Sequence, residues 1–208
     1  MADIEPDSRE TQALLDQAAG GDGRACARLL ERHRPRLLDF VDTHLDPLLR
    51  ARLDASDVVQ EAQIEATRRL PDFLRRRPMP FRVWLRKTAY EQLLMLRRRH
   101  IEAARRSIRR EVQLPDRSSL VLAHNLVDPS ASPSARLHRE ELAQRMRQAL
   151  DRLTQTDREA LLMRHYEEMS YEEMGCILGI EPASARKRAG RALVRLHKIL
   201  TEMETKEE

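Results

Sequence analysis

Apolar residues recur every three or four positions along most of this chain. Leu14, Leu15 and Ala18 begin the pattern, Ala25, Leu29 and Leu30 continue it, and Leu37, Leu38 and Val41 carry it on. That period belongs to amphipathic helices. Gly20-Gly21-Asp22-Gly23 divides the stretch into two of them, the first starting near Glu10 and the second reaching His44. Pro35 falls inside the second, where it either kinks the helix or opens its next turn. Ser56 is expected to cap a third helix, with Asp57 in its first turn. This helix runs through Val58, Val59, Ala62, Ile64 and Ala66 to Leu70, and Pro71 marks its end. Prolines 78 and 80 make Arg75-Arg-Arg-Pro-Met-Pro80 a stiff basic loop. Helix resumes from Phe81 to about Arg110 as one long helix or a helix pair, with Phe81 and Trp84 expected in the core.

The period lapses over 112–135, where prolines, serines and Asp128-Pro-Ser-Ala-Ser-Pro-Ser134 read as a linker. Leu120, Val121 and Leu122 give it an apolar segment able to dock. Leu137, Leu142, Met146, Ala149, Leu150 and Leu153 then restart the helical pattern. Thr156 with Glu159 three residues on has the spacing of a capping box. Ser170 to Leu178 forms a short amphipathic helix stopped by Gly179, and Pro182 suits the first turn of the next. In that last helix Ala185, Ala189, Ala192, Leu193, Leu196 and Leu200 make a core-facing stripe of mostly small residues. Ser184, Lys187, Arg188, Arg191 and Arg195 fall on the opposite side. Gly190, inside the same helix, costs about 1 kcal/mol relative to alanine, and close packing is expected to offset it. A helix, a tight glycine turn and a basic helix make the helix-turn-helix pattern, whose second helix enters a DNA major groove.

Composition agrees with helices. Aromatic residues are 3% of the 208, too few to suggest a sheet-built core. The expected fold is therefore all-α, with two small helical domains joined by a flexible linker. Residues 1–9 are expected as a disordered leader, 10–111 as the first domain, 112–135 as the linker, 136–200 as the second domain and 201–208 as an acidic tail. No apolar run approaches the roughly 20 residues that span a membrane. The acidic start Met1-Ala-Asp-Ile-Glu-Pro-Asp7 lacks the basic and apolar regions of a signal peptide, so a cytoplasmic protein is expected.

Charge changes the picture more than composition does. Between Arg68 and Arg110 stand 15 Lys/Arg against three acids, Asp72, Glu91 and Glu102. Residues 182–198 add six cations and no acid, so the remainder of a chain with net charge +4 is strongly acidic. Two basic blocks on an acidic background indicate two separate polyanion contacts. Catalysis finds no such support. Glu167, Glu168, Glu172 and Glu173 are paired carboxylates without a base or metal ligand nearby and are expected on a solvated helix face. Cys26 and Cys176 stand far apart and read as buried thiols. The seven histidines show no metal-binding spacing. No glycine loop of phosphate-cradling type is present. The protein is expected to be no enzyme and to hold no metal or cofactor.

Three segments in this order carry a family resemblance. Asp57-Val-Val-Gln-Glu61, preceded by Asp54 and followed by a helix ending in Leu-Pro-Asp-Phe73, resembles the core-binding helix of region two in extracytoplasmic-function (ECF) sigma factors. Phe81-Arg-Val-Trp-Leu-Arg-Lys-Thr-Ala89 resembles that family's next helix. Leu153 to Leu161, Tyr171-Glu-Glu-Met174 and Leu178-Gly-Ile180 resemble region four, with the basic helix at 182–198 as its recognition helix. The likeness extends from about residue 12 to residue 200. It implies a sigma factor that binds core RNA polymerase and directs promoter-specific initiation. Asp57, Gln60 and Glu61 would dock the coiled coil of the polymerase's largest catalytic subunit. Arg82, Arg86, Lys87, Tyr90, Arg97, Arg98 and Arg99 would contact the −10 element, where strands part and a base is captured unstacked. Ser184, Arg186, Lys187, Arg188 and Arg191 would read the −35 element, arginine gripping a guanine edge or a phosphate. The partners implied are core polymerase and promoter DNA, and an anti-sigma protein is admitted as a third.

One departure from the family stands out. Its loop before the −10 helix commonly has small flexible residues, where this chain has Arg-Arg-Arg-Pro-Met-Pro. The base pocket is therefore not carried over position by position. Two other functions fit parts of the chain. A stand-alone helix-turn-helix regulator with an N-terminal sensory or dimerisation domain explains 182–198 but leaves Asp57–Glu61 and the first basic block without a role. A helical adaptor for acidic proteins explains only the charge.

Overall fold

The computed structural model describes residues 4–45, 47–50, 52–105, 119, 122–123 and 136–205, and these divide between two compact units, 1–115 and 116–208. Among the described residues all regular structure is helical. The expected Arg106–Arg110 end of the long basic helix lies outside them, as does most of the linker.

The N-terminal unit consists of α1 (Arg9–Ala19), α2 (Gly23–His44), the single turn α3 (Pro47–Arg50), α4 (Ala55–Arg76) and α5 (Phe81–Arg105). Leu14, Leu15, Leu29, Leu37, Phe40 and Val41 of α1 and α2 are buried with Val58, Val59, Ala62 and Ala66 of α4 and Phe81, Val83, Leu85 and Ala89 of α5. Each large apolar side chain so buried contributes about 1.5–3 kcal/mol. Pro35 sits within α2, which stays a single helix.

Several expected boundaries move. Asp54, not Ser56, caps α4: its carboxylate accepts from the Ser56 amide at 2.7 Å, and Ser56 lies inside the first turn. Nor does Pro71 end that helix. The chain stays helical to Arg76 because Phe73, 4% exposed, continues the buried series of Ala66 and Leu70 and packs against Phe81 and Trp84. The basic loop therefore shrinks to residues 77–80. Arg77 closes α4 in the left-handed conformation (φ 38°), its amide donating to the Phe73 carbonyl at 2.7 Å. The leader is also not disordered throughout: over residues 4–8, Asp7 and Ser8 make hydrogen bonds to the folded unit.

The C-terminal unit holds α6 (Arg136–Asp151), α7 (Gln155–Leu161) running into a π-turn (Leu162–Tyr166), α8 (Tyr171–Leu178) and α9 (Pro182–Glu204). Its core gathers Ala149, Leu150, Leu153, Leu161, Leu162, Ala192 and Leu196. Leu122 and Ala123, at 0% and 2% exposure, belong to the same cluster, so part of the expected linker is core of this unit. Thr154 rather than Thr156 caps α7, accepting from the Asp157 amide at 3.3 Å, while Glu159 accepts from Gln155 instead. Leu193, expected in the core stripe of α9, is 40% exposed because it lies at the margin of the alanine face. Helix α9 runs on to Glu204, and Glu202 pairs with Arg152 at 3.2 Å, so the first residues of the expected tail are structured. Glu173 is buried as the return arm of a capping box with Ser170, not spread on a solvated face. Both cysteines are free thiols and half-buried.

Candidate nucleic-acid interface

Helices α8 and α9 form the helix-turn-helix, and the residues of the turn explain its geometry. Gly179 ends α8 at φ 66°, a conformation costly for any side chain with a Cβ. Gly175 has a different task. A Cβ there would lie 2.7 Å from the Ile180 carbonyl oxygen, so only glycine lets the turn fold back onto α8. Pro182 then opens α9 at its first position, without a side-chain cap from Glu181. Ala185, Ala189 and Ala192 are buried at 0–2% exposure, and their short side chains bring α9 close to α7 and α8.

The opposite face of α9 borders an open cleft of about 420 Å³. Ser184, Lys187, Arg188, Arg191 and Arg195 line one wall, and Thr154, Thr156 and Asp157 at the start of α7 line the other. Asp157 organises the junction. Its Oδ2 accepts from the Thr154 hydroxyl at 2.8 Å and from the Arg195 guanidinium at 2.6 Å, although Asp157 itself is 4% exposed. Four cations and two hydroxyl-bearing threonines around one groove suit the phosphates of a nucleic-acid backbone. Of the five expected −35 residues, Ser184, Lys187, Arg188 and Arg191 share this cleft, while Arg186 is exposed but does not line it. Arg195, outside the expected −35 set, shares the same face by its helical spacing and lines the cleft. Thr154 and Thr156 come from a separate helix start, and no periodicity connects them with α9. Gly190 is exposed with open space around its missing Cβ, which removes the expected packing role.

In the N-terminal unit, Asp57, Gln60 and Glu61 are all exposed on α4, with Val58, Val59 and Ala62 buried behind them. Ile64, assigned to the apolar series by its spacing, is 55% exposed and lies one turn further along the acidic face. The exposed face thus runs from acidic and polar residues to an apolar one at its C-terminal side.

Helix α5 spreads its cations along its length. Arg82 donates to the Glu5 carbonyl at 3.0 Å, and Arg86 lies over the Phe40 ring at 5.9 Å. Lys87 and Arg97 are half-buried, and Arg98 and Arg99 are exposed. Arg82 and Arg97 are separated by about 22 Å of helix, so together they form a track rather than a cluster. Tyr90 does not belong to it. At 6% exposure, with its ring edge-on to His44, it is a core residue and is withdrawn from the expected DNA contacts. Phe81 is fully buried, whereas Trp84 is half-buried, its ring tilted against Phe73 at 4.6 Å. Close by, burial pushes the His33 pKa below its usual value; Asp7 opposes the shift, and Arg32, Arg36 and Arg86 reinforce it.

A two-unit helical protein with a helix-turn-helix beside a cationic cleft, and with a second basic track on a separate unit, has the features of a DNA-binding protein. Comparison narrows the class. Residues 29–102 match the family model for sigma-70 region 2, and residues 143–196 match that for sigma-70, region 4. The RNA polymerase sigma-H factor of Pseudomonas aeruginosa is 28% identical over 92% of this chain and 94% of its own length. The ECF RNA polymerase sigma factor SigD of Mycobacterium tuberculosis is 28% identical over 88% of this chain and 81% of its own. Among solved structures, CnrH in complex with the cytosolic domain of CnrY superposes with a TM-score of 0.57 at 25% identity, covering 93% of this chain and 99% of that one. RpoE of Bartonella quintana, solved with the anti-sigma factor NepR, gives 0.58 at 20% identity, with 84% and 96% covered, and speaks to the fold. This chain belongs to the sigma-70 family, in its ECF group. It is a sigma factor, binding core RNA polymerase and directing promoter-specific initiation of transcription, and the family is not one of catalytic enzymes. No helix among the described residues is long and apolar enough to cross a membrane.

Proposed function

We propose that the two units divide the work of promoter engagement. Asp57, Gln60 and Glu61 dock the coiled coil of the polymerase's largest catalytic subunit, with Ile64 as an apolar contact one turn further along. Arg82, Arg86, Lys87, Arg97, Arg98 and Arg99 follow the phosphates of the −10 element as its strands separate. Ser184, Lys187, Arg188, Arg191 and Arg195 hold the −35 element, with Arg186 beside them. The observation that carries this reading is the separation of charge: an exposed acidic face on α4, and cationic surfaces on α5 and along the α7–α9 cleft. A protein-binding face and two DNA-binding faces of opposite sign keep their partners from competing.

CnrH and RpoE were each solved with a second protein, named in the latter case as an anti-sigma factor. By the same likeness this chain takes an anti-sigma protein as a further partner, and it acts in the cytoplasm where polymerase and promoter meet. The decisive experiment reconstitutes the chain with core polymerase. Asp57→Arg and Glu61→Arg should abolish core binding while leaving duplex binding by the C-terminal unit intact. Retention of both core binding and transcription by these variants would remove the docking assignment.

A further inference from the structure

Helix α5 begins without a cap of its own. Pro80 precedes it, Pro78 stands two residues earlier, and neither proline has a backbone N–H or a polar side chain to offer. The missing acceptor comes from the leader, 74 positions away in the chain. Asp7 Oδ2 accepts from the Phe81 amide at 2.6 Å, and Asp7 Oδ1 accepts from the Arg82 amide at 3.4 Å. A carboxylate here meets the positive end of the helix dipole as well as two unsatisfied donors. The Glu5 carbonyl meanwhile fixes the Arg82 guanidinium.

The other end of the loop is tied to the same segment. Arg77, left-handed at φ 38°, donates from Nη2 to Asp16 Oδ1 at 2.7 Å, and that hydrogen bond holds the Asp16 carboxyl below its ordinary pKa. Asp7 lies just before α1 and Asp16 in its last turns, so α1 spans the loop like a brace. A third tie links the two elements: Thr11 of α1 is hydrogen-bonded to His33 at 3.2 Å, and the His33 ring packs edge-on against Phe81 at 5.2 Å. The short, proline-bound loop 77–80 therefore takes its place relative to α5 from α1 and the leader.

We propose that Asp7 and Asp16 are positioning residues for strand opening, holding both ends of the 77–80 loop against the basic track of α5. The inference rests on the assignment of the −10 element to α5. Misplacing a preorganised element by an ångström is enough to cost orders of magnitude in a step that depends on it.

The test uses holoenzyme reconstituted from core polymerase and the full chain. Its promoter is selected by the parent holoenzyme from a random-sequence duplex library. Permanganate reactivity of unpaired thymines reports opening, and gel shift of the closed complex reports duplex binding. Asp7→Ala with Asp16→Ala should reduce opening by about tenfold while core affinity and closed-complex affinity stay within about twofold of the parent. Asp7→Asn, which keeps the acceptor, should restore most of the opening. Asp16→Ala alone, which removes only an exposed pair, should give a fully folded protein with a measurable opening defect. Opening unchanged in the double variant overturns the proposal. So does an Asp7→Ala defect accompanied by an equal loss of core binding and thermal stability with no effect of Asp16→Ala, since that pattern marks a general fold contact. Failure of the −10 assignment itself would look different: Arg98→Ala with Arg99→Ala would leave opening at the parent level.

Discussion

Asp157 and Arg195 stand 38 positions apart and meet at 2.6 Å, the carboxylate 4% exposed and the guanidinium side chain 57% exposed at the rim of the cleft. The pair ties the capped start of α7 to the middle of the recognition helix, and so sets the wall of threonines opposite the wall of cations. Its solvated arginine tempers the Coulombic gain, but the buried carboxylate also completes the Thr154 cap. Asp157→Ala should cost about 2 kcal/mol, since it leaves the Thr154 cap on the Asp157 amide in place but removes the buried carboxylate's bonds to the Thr154 hydroxyl and to Arg195. Hydrogen exchange followed by mass spectrometry should show the loss in α7 and α9 while the α1–α5 amides keep parent protection.

Two glycines of the C-terminal unit should respond in opposite ways to the same substitution. Gly175→Ala forces a Cβ to within 2.7 Å of a backbone carbonyl that cannot yield without opening the turn. A loss of about 2–3 kcal/mol and of −35 duplex binding is expected. Gly190→Ala meets nothing within 4 Å and should stabilise α9 by about 1 kcal/mol. Thermal unfolding of the two variants beside the parent decides the matter, and stabilisation by both would refute the account of the turn.

Along the cleft, phosphate contacts differ from base contacts in their dependence on salt. Arg195→Ala and Lys187→Ala should each lower duplex affinity evenly across sequences and reduce the slope of log affinity against log salt by about 1. An arginine on a guanine edge would instead relax preference at one base pair. Fluorescence anisotropy over a salt series, with a selected duplex and a scrambled one, separates the two.

Ile64 combines an apolar side chain and 55% exposure with a place one helical turn from Gln60 and Glu61. Its removal should leave the fold intact, since its side chain is largely outside the core, yet weaken the proposed docking face. Ile64→Ala should reduce core-polymerase affinity by about tenfold, the scale of a typical interface anchor, without lowering the unfolding midpoint. Competition with a labelled parent chain for core enzyme is the measurement.

His33 should make the N-terminal unit acid-sensitive. Its pKa in the folded protein lies below the reference value of 6.5 because burial disfavours the charged ring, Asp7 acting against the shift and Arg32, Arg36 and Arg86 with it. The unfolded chain therefore binds a proton that the folded chain resists. This contribution is fully present above pH 6.5 and is lost as pH falls through and below that value. His33→Gln should show a smaller drop in unfolding midpoint than the parent between about pH 7 and 5. His165, lowered by burial and by Arg164, shifts the C-terminal unit in the same direction in both proteins and cancels from the comparison.

Local order fixes only part of this molecule. The helix period, the break at Gly20–Gly23, the stop at Gly179 and the start at Pro182 are all legible in the chain, because each depends on neighbours within one turn. The two charge blocks are likewise a matter of counting, and they point to nucleic acid. Boundaries failed where tertiary packing outweighed a local signal. Pro71 should have ended α4, but burial of Phe73 against Phe81 and Trp84 carried the helix past it.

Side-chain fate was decided by the fold alone. Tyr90 is expected at a DNA contact and Ile64 in the apolar series, yet the tyrosine is buried at 6% and the isoleucine exposed at 55%, since the angle at which helices meet selects which edge of a helix stays dry. No spacing rule joins Thr154 to Arg195 or Asp7 to Phe81. Sequence by itself determined that this chain is all-helical, carries a helix-turn-helix and has two cationic surfaces. The tertiary structure decided which cations share a cleft and what holds the loop before α5, because contacts between distant residues arise only when separate helices are packed against one another.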